Sequence, residues 1–181
     1  MLSEDGARIS AITELEDGSL ISILDVEQIL ADAFGEVVVG NIARVESDRD
    51  LCIFFADDSV VARRKITQVL DKMAVRYIQA ANGKKAWDRL KAMADTAQNA
   101  GTRLHDQIQV ILTDAEMPEM DGYVLTQRIK SDRRFDGIPV VMHTSLSSDA
   151  NREMARRVGV DYYVPKFDAM VLSSALRKLL T

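Results

Sequence analysis

The chain has 181 residues, 47% of them hydrophobic, 28% charged and 6% aromatic. At about 150 residues per domain, that is one large core and a fraction of another. No apolar run approaches the ~20 residues of a membrane helix, so no membrane insertion is expected. The acidic start Met1-Leu2-Ser3-Glu4-Asp5 lacks the basic-then-apolar layout of a signal peptide. The single cysteine, Cys52, excludes an intramolecular disulfide and a cysteine-rich zinc site, and a cytoplasmic location is expected. The net charge of −5 is uneven. Residues 1–50 carry 12 acids against three bases, and residues 51–181 carry 16 acids against 20 bases. An acidic segment beside a mildly basic remainder is not the footprint of a nucleic-acid binder. The short basic clusters Arg63-Arg64-Lys65, Lys84-Lys85, Arg133-Arg134 and Arg156-Arg157 read as solvated helix faces.

In chain order, Ile9 to Leu15 and Leu20 to Leu24 flank Asp17-Gly18, a hairpin signal. Asp25, three residues before Gln28, resembles a helix-start box. Val26, Ile29, Leu30 and Ala33 then share a helical face that ends at Gly35. The charge step and the polar run Glu46–Asp50 place a boundary near residue 50. Beyond it, strand and helix alternate. Leu51–Ala56 is a continuous apolar run, as in a strand buried on both faces. A helical stripe from Val60 to Met73 follows, then a short strand at 75–80, a turn at Asn82-Gly83 and a helix marked by Ala86, Trp87, Leu90, Met93 and Ala94. The polar stretch from Gln98 to Gln107 reads as a loop. Strands at 108–113, 139–143 and 160–164 alternate with helices marked by Val124 to Ile129, by 149–158 and by Met170 to Leu180. Cys52 and Trp87 read as core, His105 as a loop residue and His143 as a packed histidine.

Five strand-helix units in about 130 residues predict an α/β fold, a doubly wound five-stranded parallel sheet with helices on both faces. In such sheets the site lies at the carboxyl ends of the strands. Those ends carry Asp57 and Asp58, Asp114, Thr144 and Lys166. Taken singly, each has a plainer reading: Asp57-Asp58 as a helix cap, Asp114 as a loop residue, Lys166 as a surface lysine. Together they are more specific. Three converging carboxylates repel one another unless a cation sits between them. Oxygen ligands select a hard divalent ion, and Mg²⁺ keeps waters and accepts phosphate oxygens. With the Lys166 ammonium and the Thr144 hydroxyl, the set suits a transferring phosphoryl group, and one carboxylate can be the nucleophile.

Residues 51–181 resemble the receiver domain of two-component response regulators and are similar to CheY. The resemblance rests on Phe55-Ala56-Asp57-Asp58-Ser59, on Leu112-Thr113-Asp114-Ala115-Glu116-Met117-Pro118-Glu119-Met120-Asp121-Gly122, on His143-Thr144-Ser145 and on Lys166-Phe167. The steps of 30 residues from Asp114 to Thr144 and 22 from Thr144 to Lys166 are those of the family. It implies a flavodoxin-like fold with Asp114 as phosphoacceptor. Mg²⁺ would be held by Asp57, Asp58, Asp114 and the backbone carbonyl of Glu116. Thr144 would hydrogen-bond the phosphoryl group, Lys166 would pair with it, and Tyr163 would be the aromatic switch. Glu116 and Leu146 fall where the family's side chains help to position the hydrolytic water. The order Pro165-Lys166-Phe167 departs from the family's usual Lys-Pro. Such a domain is not an enzyme beyond catalysing its own phosphorylation and dephosphorylation.

Residues 1–50 resemble the tail of a CheW-like coupling domain, in Ala11-Ile12-Thr13-Glu14-Leu15 and Ser22-Ile23-Leu24-Asp25-Val26-Glu27-Gln28-Ile29-Leu30. A CheW-like tail at 1–50 joined to a receiver at 51–181 is similar to the layout of CheV chemotaxis proteins. That layout implies a chemotaxis histidine kinase as phosphodonor and, for a full-length protein, binding to the chemoreceptor array. Residues 1–50 are too few to bury their own apolar faces. They are expected to form a homodimer with a second copy or to pack on the receiver. A phosphorylation-silent interaction module is the alternative. An aspartyl-phosphate phosphatase is disfavoured because Asp114-Ala115-Glu116 lacks that class's Asp-x-Asp. A DNA-binding regulator is disfavoured because no helix-turn-helix unit follows residue 181.

Overall fold

The computed structural model describes residues 9–15, 17–24, 42–166 and 168–181, with the backbone alone at 9–12 and 22–24. The helix expected after Asp25 and the side chain of Phe167 lie outside the described residues. Two compact units are present, Met1–Val37 and Val38–Thr181.

In the first unit, β1 (Ile9–Glu14) pairs antiparallel with β2 (Leu20–Leu24), matching Ile12 to Ser22 and Glu14 to Leu20. The expected Asp17-Gly18 turn closes the hairpin. Asp17 Oδ1 accepts from Ser19 N at 2.8 Å, and Gly18 has the left-handed φ of +82° that glycine adopts at no steric cost. Leu15, Leu20 and Ile21 are exposed.

The second unit is built from the strands and helices expected beyond residue 50. They are β3 (Cys52–Ala56), α1 (Val60–Met73), β4 (Arg76–Ala80), α2 (Gly83–Asn99), β5 (Val110–Thr113), α3 (Gly122–Ser131), β6 (Val140–Thr144), α4 (Asp149–Val158), β7 (Tyr162–Pro165) and α5 (Ala169–Leu180). The five strands are all parallel, in the order β4-β3-β5-β6-β7. This is the flavodoxin-like order, whose switch point lies between β3 and β5. Strands β3, β5 and β6 are buried along their whole length, as covering both faces requires. One core cluster gathers Phe54, Leu90, Ile111, Leu125, Ile129 and Phe135, with Trp87 partly buried against it. Cys52 is buried.

Each of the five helices starts on a side-chain cap: Ser59, Asn82, Asp121, Ser148 and Asp168 each accept from a backbone N–H three residues on. Such caps satisfy donors that the first turn leaves orphaned. Because Ser59 caps α1, the side chains of Asp57 and Asp58 are not used for that purpose.

Two local expectations change. Asn82-Gly83 is a helix start rather than a free turn. Asn82 caps α2, and a Cβ on Gly83 would lie 2.0 Å from the carbonyl oxygen of Met120, so the glycine is required by close backbone approach. The stretch from Gln98 to Gln107 is more ordered than its polarity suggests. Helix α2 runs to Asn99, Leu104 is buried in a 3₁₀ turn (Leu104–Asp106), and the Gln109 side chain bridges His105 O and Cys52 N at 3.0 and 2.7 Å. Residues ahead of β3 also join this unit. Ile42 and Val45 are buried, Val45 N donates to Met73 O at 2.9 Å, and Arg177 donates to the carbonyls of Ala43 and Arg44 at 2.5 and 3.2 Å. Among the described residues, no helix is long and apolar enough to cross a membrane.

Candidate functional site

The carboxyl ends of β3, β5, β6 and β7 meet at one edge of the sheet. Asp57 is fully buried just past β3. Its Oδ1 accepts from Ser59 N at 2.9 Å, and its backbone N donates to Ala80 O at 3.3 Å. Asp58 beside it is exposed. Asp114 is buried past β5, with Oδ1 accepting from Ala115 N at 2.7 Å and Oδ2 accepting from Lys166 Nζ at 2.8 Å. Lys166 Nζ also lies 3.1 Å from Asp57 Oδ2, which makes no hydrogen bond, so this contact is an ion pair without hydrogen-bond alignment. Thr144 ends β6 and is buried. Its carbonyl accepts from Lys166 N at 2.9 Å, tying the β6 and β7 ends together. Carboxylate oxygens of Asp57, Asp58 and Asp114 lie within 4.8 Å of one another. The sheet therefore brings together all five residues expected at its strand ends.

The electrostatics follow from burial. Desolvation pushes the Asp57 carboxyl up to about 7; the Lys166 ammonium pulls against this, and the Asp114 charge adds to it. Burial raises Asp114 as well, against the opposing effect of Lys166. For Lys166, burial disfavours the charge, yet Asp57 and Asp114 hold its pKa above the ordinary lysine value. One ammonium faces three carboxylates, and a buried carboxylate oxygen is left without a hydrogen bond. A hard divalent cation with oxygen ligands fits this donor set.

The remaining expected residues lie around the same groove. Glu116 is exposed and Leu146 is half-buried, and both line it with Asp58, Tyr123 and Asn151. The Leu146 peptide links two other positions. Its N–H donates to Thr144 Oγ1 at 3.2 Å, and its carbonyl accepts from the Tyr163 hydroxyl. Tyr163 is half-buried, packs with Ala115, Met142 and Ala155, and carries the Arg152 guanidinium 5.0 Å from its ring centre. His143 is a packed residue, as expected. Burial drives its pKa down to about 3, with the Lys166 charge adding to the effect, so the ring is neutral.

Three contributors escape sequence reasoning. Gly122 lies so close to Asp114 that a Cβ there would sit 1.9 Å from its carbonyl oxygen. Its place in Asp121-Gly122 signals a turn, not a contact across the loop. Tyr123 buries a hydroxyl without a partner beside the groove. Arg63, read as part of a solvated cluster, donates through Nη1 to the carbonyls of both Asp57 and Asp58 at 2.8 Å.

Comparison with known proteins identifies the family and the fold. Residues 53–177 match the response regulator receiver domain family. Chemotaxis protein CheV2 of Helicobacter pylori is 28% identical over 186 residues, covering 99% of this chain and 56% of that protein. Chemotaxis protein CheY1 of the same organism is 34% identical over 130 residues, covering 71% of this chain and 95% of that protein. The chain spans about half the length of the CheV relatives it matches. Among solved structures, the receiver domain of the Arabidopsis thaliana histidine kinase CKI1, complexed with Mg²⁺ and BeF₃⁻, superposes with a TM-score of 0.65 at 23% identity, over 73% of this chain and 91% of that one.

Proposed function

The chain belongs to the response regulator receiver family, and from that premise we propose that it accepts a phosphoryl group on Asp114 from a chemotaxis histidine kinase, in a Mg²⁺-dependent reaction. The observation that carries this reading is the pairing of buried Asp114 with Lys166 at 2.8 Å inside a cluster of three carboxylates. Asp57, Asp58, Asp114 and the backbone carbonyl of Glu116 would hold the Mg²⁺, which when bound supplies charge neutralisation for phosphoryl oxygens.

The protein's own groups do the rest. A carboxylate oxygen of Asp114 bonds to phosphorus as the bond from phosphorus to the donor's histidine nitrogen breaks, and the departing imidazole takes a proton from solvent. Lys166, already charged and held against Asp114, offsets the negative charge gathered there. Thr144 accepts from Leu146 N, which leaves its own O–H to donate to a phosphoryl oxygen. That donation would re-aim Thr144 and bear on the Leu146 peptide, whose carbonyl holds Tyr163. We take this as the route by which phosphorylation reaches the Tyr163 face. The domain is then a stoichiometric acceptor rather than an enzyme. Residues 1–50 are proposed as the tail of a CheW-like coupling domain, with the exposed Leu15, Leu20 and Ile21 suited to cover by a second copy. A CheV-like whole protein would carry this cytoplasmic receiver to the chemoreceptor array.

Transfer from a phosphorylated chemotaxis kinase tests the reading. The wild type is expected to gain label and Asp114→Asn to gain none while keeping its fold, because the amide is isosteric but a poor nucleophile. A wild type that takes no label with Mg²⁺ present would favour the silent interaction module.

Lifetime gives a further expected outcome. Hydrolysis of an acyl phosphate needs a water held in line. Half-buried Leu146 has no polar atom to orient one, and Glu116 brings a negative charge to the same groove. The phosphorylated form should therefore decay more slowly than in CheY-like relatives with polar groups at both positions, suiting adaptation or a phosphate sink. Leu146→Gln, which adds a water-orienting group without charge, should speed decay by roughly fivefold, the equivalent of one hydrogen bond of about 1 kcal/mol. Equal or slower decay after donor removal would refute the role of Leu146.

A further inference from the structure

A single side-chain nitrogen of helix α1 bonds both carbonyls of the acidic turn. Arg63 lies in the first turns of α1, and its backbone N–H donates to Ser59 O at 3.0 Å. Its side chain reaches back, and Nη1 donates to Asp57 O and to Asp58 O, each at 2.8 Å. The two carbonyls belong to the adjacent residues whose carboxylates converge with Asp114. Asp57 has other anchors, through Ser59 N and Ala80 O. Asp58 is exposed, so its carboxylate depends on how its backbone is held.

We propose that Arg63 is a positioning residue for the divalent cation: by holding both carbonyls of the turn, it presents the Asp57 and Asp58 carboxylates in one fixed arrangement. The inference rests on the Mg²⁺ reading above and extends it to a residue outside the ligand set. Two opposite effects of the guanidinium make the idea testable. As a positive charge near the carboxylates, Arg63 disfavours a cation by plain repulsion. As a clamp, it favours the cation by removing backbone freedom from two ligands. The clamp is expected to win because repulsion at a half-exposed position is screened by solvent and salt, whereas the freedom lost by two adjacent residues is not.

Because one nitrogen makes both bonds, the planar fork of arginine is not what the site uses. A lysine ammonium, a point charge with three donors, can make the same bridge. The experiment is titration of Mg²⁺ by calorimetry into the full chain, free of phosphodonor, for the wild type, Arg63→Lys and Arg63→Met, with far-UV circular dichroism as a fold control. Arg63→Met is expected to weaken Mg²⁺ binding roughly tenfold, as loss of two charge-assisted hydrogen bonds implies, and Arg63→Lys to stay within about twofold of the wild type. Binding by Arg63→Met that equals or exceeds the wild type would overturn the proposal and leave charge repulsion as the residue's effect. Binding by Arg63→Lys as weak as that by Arg63→Met would overturn it too. Should Arg63→Met disturb the fold, Arg63→Gln replaces it with the same criteria. A wild type that binds no Mg²⁺ would contradict the metal reading itself, and the proposal with it. Wild-type binding with unaltered variants would contradict the clamp alone.

Discussion

Gly122→Ala is expected to destabilise the protein by about 3 kcal/mol or more, although alanine is the better helix former by about 1 kcal/mol. The added Cβ would meet Asp114 O at 1.9 Å, Asp114 C at 2.9 Å and Thr113 Oγ1 at 3.1 Å. The obstacle is backbone, so no side chain can swing aside. Either α3 retreats from β5 or the Asp114 peptide moves. The loop has little slack. Gly122 N donates to Ala115 O at 2.9 Å, Asp121 caps α3 through Val124 N, and Asn82 Nδ2 holds Glu119 Oε1 at 2.6 Å. A shift of Asp114 by even 1 Å is worth roughly a hundredfold in a reaction that depends on alignment. Labelling by a small phosphodonor should therefore slow by about that factor. Urea unfolding and the initial labelling rate check both parts. Stability within about 1 kcal/mol of the wild type, together with an unaltered rate, would show that the close approach does not constrain the site.

Lys166→Met is expected to have the second large effect, and that effect should depend on pH. In the wild type, Lys166 Nζ stands 2.8 Å from Asp114 and 3.1 Å from Asp57, with both carboxylates buried. Removing one side of a buried ion pair leaves uncompensated charge and costs about 3–5 kcal/mol. A buried carboxyl can avoid part of that cost by taking a proton. Asp57 already has a folded pKa near 7, raised from its ordinary value, and loss of the ammonium removes the main influence pulling it down. For a group raised on folding, the folded state binds the extra proton between the two pKa values. Its stabilising contribution is thus full at low pH and is lost as pH rises through the folded value. The destabilisation by Lys166→Met should be smaller near pH 5 and grow as pH rises above 7, up to the still higher pKa that Asp57 has in the variant. Mg²⁺ should lessen it at the higher pH by supplying the missing positive charge. Urea unfolding at pH 5 and pH 8, with and without Mg²⁺, decides the matter. A loss of stability equal at both pH values and indifferent to Mg²⁺ would mean that Lys166 contributes packing rather than charge.

Much of this architecture is legible in the sequence because it rests on local pattern. The buried strands are short apolar runs, and α4 covers the expected 149–158. Asp57, Asp58, Asp114, Thr144 and Lys166 were readable because topology alone sends strand ends to one edge. What escaped depends on which backbone atoms a side chain or glycine meets, whether far along the chain, as at Gly83, or only a few residues away, as at Arg63. Nothing near Gly83 announces the carbonyl of Met120, and nothing near Arg63 distinguishes it from Arg64. The Gln98–Gln107 stretch reads as loop because its polar side chains mask the buried Ala97 and Leu104. The Leu146 peptide joins Thr144 and Tyr163 through backbone atoms, which residue identity does not report.

Asp114 is expected to be the nucleophile of a Mg²⁺-dependent phosphoryl acceptor. The most direct test is to treat the full chain with acetyl phosphate and Mg²⁺, trap the acyl phosphate by reduction with borohydride, and locate the modified residue by peptide mass spectrometry. One modified residue per chain is expected, Asp114, with no modification when Mg²⁺ is chelated or when Asp114→Asn is used. Modification at another residue, or undiminished labelling of Asp114→Asn, would contradict it.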